Sequence, residues 1–242
     1  MKLIAWNLAH QTQERAISPR FIEAVEKLRP DLITLNEYVH GSTRAPLIDA
    51  LAQLGLGHVQ VSNRVNTNNQ VFVASRHPLQ LGDLLGPSTK DGGGESNFLH
   101  VKLPNVELEI VGVRVPAYEA SQVLHEYWQS LTEIIRSTIA RRIIFIGDFN
   151  ADPDANRHPG ARYMSTLRSD GWNIPTASGA WSYISGSRID HAIVSPGISV
   201  KDTKYVAQIS DIELASQNRE TRISDHAALV LHVDLGASHA EN

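Results

Sequence analysis

The run Ile143-Ile144-Phe145-Ile146 has no alternation of apolar and polar residues, and it stops abruptly at Gly147-Asp148-Phe149-Asn150. A strand with one face in water alternates with a period of two, so an unbroken apolar run has to be covered on both faces. Polar groups at the end of such a run emerge where the strand leaves the core. The same pattern recurs along the chain. Lys2 to Trp6 ends at Asn7, Leu32 to Leu35 ends at Asn36-Glu37, Arg188-Ile189-Asp190-His191 sits in a strand-like run to Val194, and Ile223-Ser224-Asp225-His226 leads into Ala227-Ala228-Leu229.

Between these runs the pattern switches to helical spacing. Ser18-Pro19 reads as a helix start, Phe21, Ile22, Val25 and Leu28 repeat along one face, and Arg29-Pro30 ends the run before a strand over 31–35. A second helix is predicted over 44–54, with strands over 57–62, 70–75 and 79–84 and a mobile loop at Asp91-Gly92-Gly93-Gly94-Glu95. Strands over 98–103 and 106–113 turn at Pro104-Asn105. The longest helix carries Val123, Leu124, Tyr127, Trp128, Leu131, Ile134, Ile135 and Ile139 on one stripe, with Arg141-Arg142 at its C-terminal end. A helix over 160–169, a short strand at Trp181-Ser182-Tyr183 and strands over 188–195, 199–206 and 226–234 follow. Many strands interleaved with a few helices predict an α/β protein: two packed sheets with helices outside.

No linker or repeat divides the chain, so residues 1–235 read as one domain and 236–242 as a flexible tail. Hydrophobic residues make up 42% and charged residues 20%, enough material for a core. The net charge of −4 argues against a broad, sequence-independent grip on duplex nucleic acid, though not against a local basic groove. With no cysteine there is no disulfide, thiolate site or thiol nucleophile. No apolar stretch approaches a membrane span and no signal peptide is evident, so a cytoplasmic location is expected, with no membrane and no obligate protein partner.

The residues at the run ends suit one kind of chemistry. Glu37 can hold Mg²⁺, and Asn7 can stand beside it, although each also fits a solvated strand end. Asp148 and Asn150, two apart on an extended chain, point to the same side; a carboxylate there can deprotonate water while the amide donates to a phosphoryl oxygen, and the same pair also fits an ordinary turn. Asp190 within an apolar run needs a partner, for which His226 and Arg188 compete. His191 reads as a polar strand residue. Asp225 and His226 point in opposite directions unless the chain bends, in which case one can face a cation and the other a phosphate. Five such groups in this order suggest a site that binds a divalent metal and cleaves a phosphate ester.

With these residues quoted, the chain resembles the endonuclease/exonuclease/phosphatase superfamily. Trp6-Asn7, Leu35-Asn36-Glu37, Ser75-Arg76-His77-Pro78-Leu79, Gly147-Asp148-Phe149-Asn150, Arg188-Ile189-Asp190 and Ser224-Asp225-His226 carry the resemblance across almost the whole chain. It implies a DNase I-like four-layer α/β/β/α sandwich. It further implies Glu37 as the main Mg²⁺ or Mn²⁺ ligand with Asn7 and Asp225 nearby, Asp148 as activator of water, Asn150 as phosphoryl binder and the Asp190–His226 pair as stabiliser of the transition state.

Departures bear on substrate. Asn36 stands where many relatives have Gln, and Val39 where AP endonucleases commonly have Lys. Arg114 stands where His or Tyr is usual and is taken as a catalytic candidate, with Tyr118 as the alternative. Trp181, Arg188 and Arg162 are candidate groove contacts. DNA is the expected substrate and a nuclease the expected activity, with a small or lipid-linked phosphate ester as the alternative.

Overall fold

The computed structural model describes residues 1–9, 17–41, 44–118, 120–155 and 158–236. The predicted tail therefore lies outside the described residues beyond Gly236. Along the chain the elements are β1 (Lys2–Asn7), α1 (Pro19–Leu28), β2 (Leu32–Tyr38), α2 (Ala45–Gln53), β3 (His58–Val61), β4 (Gln70–Ser75), β5 (Gln80–Leu81), α3 (Gly93–Ser96) and β6 (Phe98–Leu103). They continue as β7 (Leu108–Arg114), α4 (Ser121–Ser137), β8 (Ile143–Asp148), α5 (Pro159–Ser169), β9 (Asp190–Val194), β10 (Ser199–Val206), β11 (Gln208–Ile209), β12 (Ile212–Glu213) and β13 (Ala228–Asp234).

Two mixed sheets face each other. One is six-stranded, ordered β10-β13-β1-β2-β4-β3, and the other five-stranded, ordered β5-β6-β7-β8-β9. Each contains one parallel pair, β1 with β2 and β7 with β8, flanked by antiparallel neighbours. The alternation along each strand shows why both faces are apolar. Leu3, Ala5, Ile144 and Ile146 pack between the sheets, while Ile4 and Trp6 face α1 and α2, and Ile143 and Phe145 face α4 and α5. Each such leucine, isoleucine or phenylalanine removed from water contributes about 1.5–3 kcal/mol, which makes the double-sided strands the anchor of the fold. The result is the α/β/β/α layering expected from the sequence.

The helices obey their local signals. Ser18 caps α1 ahead of Pro19, and Arg29 ends it in a left-handed conformation (φ 48°) with its N–H on the Val25 carbonyl. Trp6 and Phe21 stack with ring centroids 5.2 Å apart, fixing α1 on its sheet. No described helix is long and apolar enough to cross a membrane.

Four expectations need correction. The glycine run is not a loop throughout: Gly93 and Gly94 enter the helical turn α3 and are buried, held by Asp91 Oδ1 and Thr89 Oγ1, which accept their N–H groups at 3.0 Å each. The strand over 79–84 shrinks to Gln80–Leu81, because the His100 ring replaces a ladder carbonyl and accepts the Leu84 N–H at 3.1 Å. Trp181 to Tyr183 forms no strand: Tyr183 makes isolated bridges to Ser187 and His226, a turn follows over 184–186, and both the Ser182 and Tyr183 N–H groups bond the Ser187 carbonyl. Helix α4 stops at Ser137, so Ile139 lies beyond it and is exposed, while Arg141 turns to Asp83 and Glu109 and Arg142 to the Leu235 carbonyl. The hairpin β11–β12 carries no sequence signal that anticipates it.

Gly147 marks where β8 leaves the core. It has φ 146°, and a Cβ there would stand 2.0 Å from the Val113 carbonyl oxygen and 2.8 Å from Asn36 Oδ1. Both neighbours are held in the sheet, so they cannot yield cheaply. Gly147→Ala is expected to lower stability by about 2 kcal/mol or more in urea unfolding at unchanged m; parent-like stability would show that the strand end can shift.

Candidate active site

The ends of the two parallel pairs lie at one edge of the sandwich. Asn7 is the register partner of Asn36 at the end of β1 and β2, Arg114 that of Asp148 at the end of β7 and β8, and Asp148 in turn pairs with Asp190 at the start of β9. Residues far apart in sequence thus share one edge by topology.

Polar side chains then stitch the sheets together. Asn7 Nδ2 donates to Asp148 Oδ2 at 2.9 Å, and its Oδ1 accepts the Ala9 N–H at 2.9 Å, which fixes the amide. Asn36 donates to the Val113 carbonyl at 3.1 Å and accepts the Asp148 N–H at 3.3 Å. Asn150 places its N–H on Asp148 Oδ1 at 2.9 Å and its amide on the Val115 carbonyl at 2.7 Å and Asp148 Oδ2 at 3.4 Å. The amide expected to face a phosphoryl oxygen therefore orients Asp148 in this structure. A bulge between Leu35 and Tyr38 turns Glu37 out of the ladder at φ 55°, and Asn150 has φ 47°. Left-handed backbone at two non-glycine positions in one place is the kind of strain that accumulates at functional sites.

The second half of the constellation is an acid–imidazole pair. His226 Nδ1 lies 2.8 Å from Asp190 Oδ2, and Nε2 lies 3.9 Å from Asp225 Oδ1. The Tyr183 ring lies against the imidazole with centroids 4.9 Å apart. Burial opposes charging of His226, but Asp190, with Asp148 and Asp225, outweighs it and raises the pKa to about 9. The imidazole is a cation at neutral pH, with one N–H committed to Asp190. Burial also pushes Asp148 up to about 6, as does the Asp190 charge, against the pull of His226 and Arg114. One group is thus a base and its neighbour an acid over the same pH range.

Residues without an assigned role in the sequence reading hold this pair in place. Ser224 Oγ donates to the Asn7 carbonyl at 2.6 Å and accepts the His226 N–H at 3.0 Å. Trp6 Nε1 donates to the His226 carbonyl at 2.8 Å, and Ser182 Oγ accepts the N–H groups of Ile189 and Asp190. The only trace of these roles in the sequence is adjacency: Trp6 precedes Asn7 and Ser224 precedes Asp225.

Other candidates are engaged elsewhere. Arg188 bonds the Ala177 carbonyl and lies over the Tyr205 ring at 5.6 Å, and Trp181 packs against the core between the sheets. Tyr118 donates to Asp91 Oδ1 at 3.0 Å, and Arg162 is exposed on α5. His191 is buried, which lowers its pKa, and its Nε2 lies 2.7 Å from the Arg188 carbonyl oxygen. Arg114 reaches across the sheets to Glu37, with Nε and Nη2 at 2.9 and 2.8 Å from Oε1.

Among the described residues, the one group of three acids or histidines within 4.8 Å of one another is Asp83, His100 and Glu109, not the expected Glu37 set. Lys102 and Arg141 already neutralise it, at 2.7 and 2.9 Å from Asp83. At the strand-end site, Asp225 Oδ1 and Asp190 Oδ1 are buried with no hydrogen-bond partner. Two buried carboxylate oxygens left in that state are costly, and a cation is a fitting partner for the one on Asp225.

Residues 4–226 match the profile of the Endonuclease/Exonuclease/phosphatase family. The chain belongs to that family, whose members are phosphoric ester hydrolases. Three solved structures share the fold. The 3'-5' exonuclease NExo of Neisseria meningitidis is 20% identical, with 97% of this chain and 100% of that one covered and a TM-score of 0.71. An AP endonuclease from Archaeoglobus fulgidus is 17% identical over 97% and 99%, with a TM-score of 0.69. Truncated TDP2 from Caenorhabditis elegans is 14% identical over 95% and 96%, with a TM-score of 0.66. No curated protein sequence matches the chain.

The pair also makes a stability prediction. The folded pKa of His226, about 9, lies above the ordinary histidine value of 6.5, so its contribution is full below about 6.5 and is lost as pH rises through 9. The stability gap between the parent and His226→Gln, followed by urea unfolding, is expected to narrow from pH 6 to pH 9.5. A pH-independent gap would show that the imidazole is not held as a cation.

Proposed function

We propose that the protein is a divalent-metal-dependent phosphodiesterase that cleaves DNA. The observation that carries this reading is the opposition of Asp148, held by Asn7 and Asn150, to the His226 imidazolium held by Asp190. The carboxylate is aligned to take a proton from an attacking water. The imidazolium supplies a charged donor for a phosphoryl oxygen as negative charge grows. Glu37 and Asp225, with Asn7 beside them, would hold Mg²⁺ or Mn²⁺. When bound, the ion supplies charge neutralisation at the phosphate and a more acidic water.

DNA as substrate is supported by relatives whose names describe an exonuclease and an AP endonuclease and which align over nearly their full lengths. A second reading, a small or lipid-linked phosphate ester, is favoured by one observation: Arg188 is turned to the Ala177 carbonyl and Trp181 packs its half-buried ring against the core. Incubation with plasmid, single-stranded and abasic-site DNA, beside a chromogenic phosphodiester and phosphomonoester, separates the two. Nicking or shortening of DNA with Mg²⁺, lost with chelator, is the expected result; turnover of the small esters alone would favour the second reading.

Asp148→Asn is expected to lower kcat by roughly 10²- to 10⁴-fold while the protein stays folded, since it removes a buried charge and keeps an acceptor for Asn7. The parent kcat/KM should rise as pH passes about 6, where Asp148 loses its proton, and fall near 9, where His226 loses its own. A profile flat across both limbs would remove the assigned roles.

A further inference from the structure

We propose that Arg114 is a built-in counter-cation of Glu37 and that it sets how tightly the site holds a divalent ion. The inference depends on the reading of Glu37 as a metal ligand.

Arg114 ends β7, where its N–H bonds the Asn97 carbonyl at 2.9 Å and its register partner is Asp148. Its side chain leaves that sheet and crosses to the other. There Nε and Nη2 converge on one oxygen, Glu37 Oε1, at 2.9 and 2.8 Å, while Nε stays 4.0 Å from Asp148 Oδ2. Both side chains are largely withdrawn from water, at 16% and 8% exposure. Glu37 is meanwhile fixed from behind by the bulge and by its left-handed backbone.

A buried carboxylate in this position is costly without a partner, and the guanidinium removes most of that cost before any metal arrives. The same guanidinium opposes a dication. It draws electron density from the oxygen that would ligate, and it adds a repulsive unit charge a few ångströms away in a medium of low dielectric. Arg114 therefore acts through Glu37 as a positioning residue: it orders the carboxylate and raises the ion concentration needed to load it.

The test is Mn²⁺ binding, followed by calorimetry and by the magnetic resonance signal of free Mn²⁺, with thermal unfolding in chelator alongside. Parent, Arg114→Gln, Arg114→Met, Arg114→Lys and Glu37→Gln are compared at pH 8. Arg114→Gln and Arg114→Met are expected to bind Mn²⁺ roughly tenfold tighter or more, yet to melt at lower temperature in chelator. Arg114→Lys keeps the charge without the fork and should stay near the parent affinity, and Glu37→Gln should bind at least about tenfold more weakly. If Glu37→Gln is impaired but neither neutral variant at 114 binds more tightly, the role of Arg114 is overturned and the ligand assignment stands. If Glu37→Gln binds as the parent does, the ligand assignment falls and this inference with it. Arg114→Met, which carries no charge, keeps the test decisive if Arg114→Gln does not fold.

Discussion

Two asparagine amides decide how the sandwich closes at the edge that matters. Asn7 and Asn36, side by side on the parallel pair of one sheet, both bond to the other sheet: Asn7 through the Asp148 carboxylate, Asn36 through the Val113 carbonyl and the Asp148 N–H. Apolar packing between sheets tolerates small slides, because it has no direction. A buried amide with both its donor and acceptor committed does not. The polar seam therefore converts an approximate stacking of two layers into a fixed registration, and the placement of Glu37, Asp148 and Asp190 relative to one another follows from it.

The fold was legible in the sequence because its strongest signals are local. The apolar runs at 143–146 and 32–35 and the helix stripes report their own burial, and the layers follow from covering both faces. The failures arose where a distant side chain overrode a local pattern. The His100 ring takes the Leu84 N–H beyond the strand at 80–81, and Asp83 and Glu109 draw Arg141 from the end of α4. None of these partners is adjacent in sequence to the residue it redirects.

The same limit applies at the site. The acids and His226 were visible as polar endings of apolar runs, but their partners were not. Arg114 read as a catalytic candidate and is tied to Glu37, while Asn150 read as a donor to substrate and instead orients Asp148. Which of several plausible hydrogen bonds a polar side chain makes is settled by its direction after the backbone bends. The left-handed bend at Asn150 suits its residue type, but the one at Glu37 leaves no such signature.

Strand β13 joins the six-stranded sheet between β10 and β1, with the Met1 amino group bonded to the Val233 carbonyl at 2.8 Å. The sheet's interior thus waits for its most distant pairing, and His226 stands just ahead of that strand. A chain emerging from the ribosome carries all the other assembled acids before it has the imidazole or the strand that seats β1. Pairing of β13 with β1 and the seating of the imidazole on Asp190 therefore belong to one closure of the sheet.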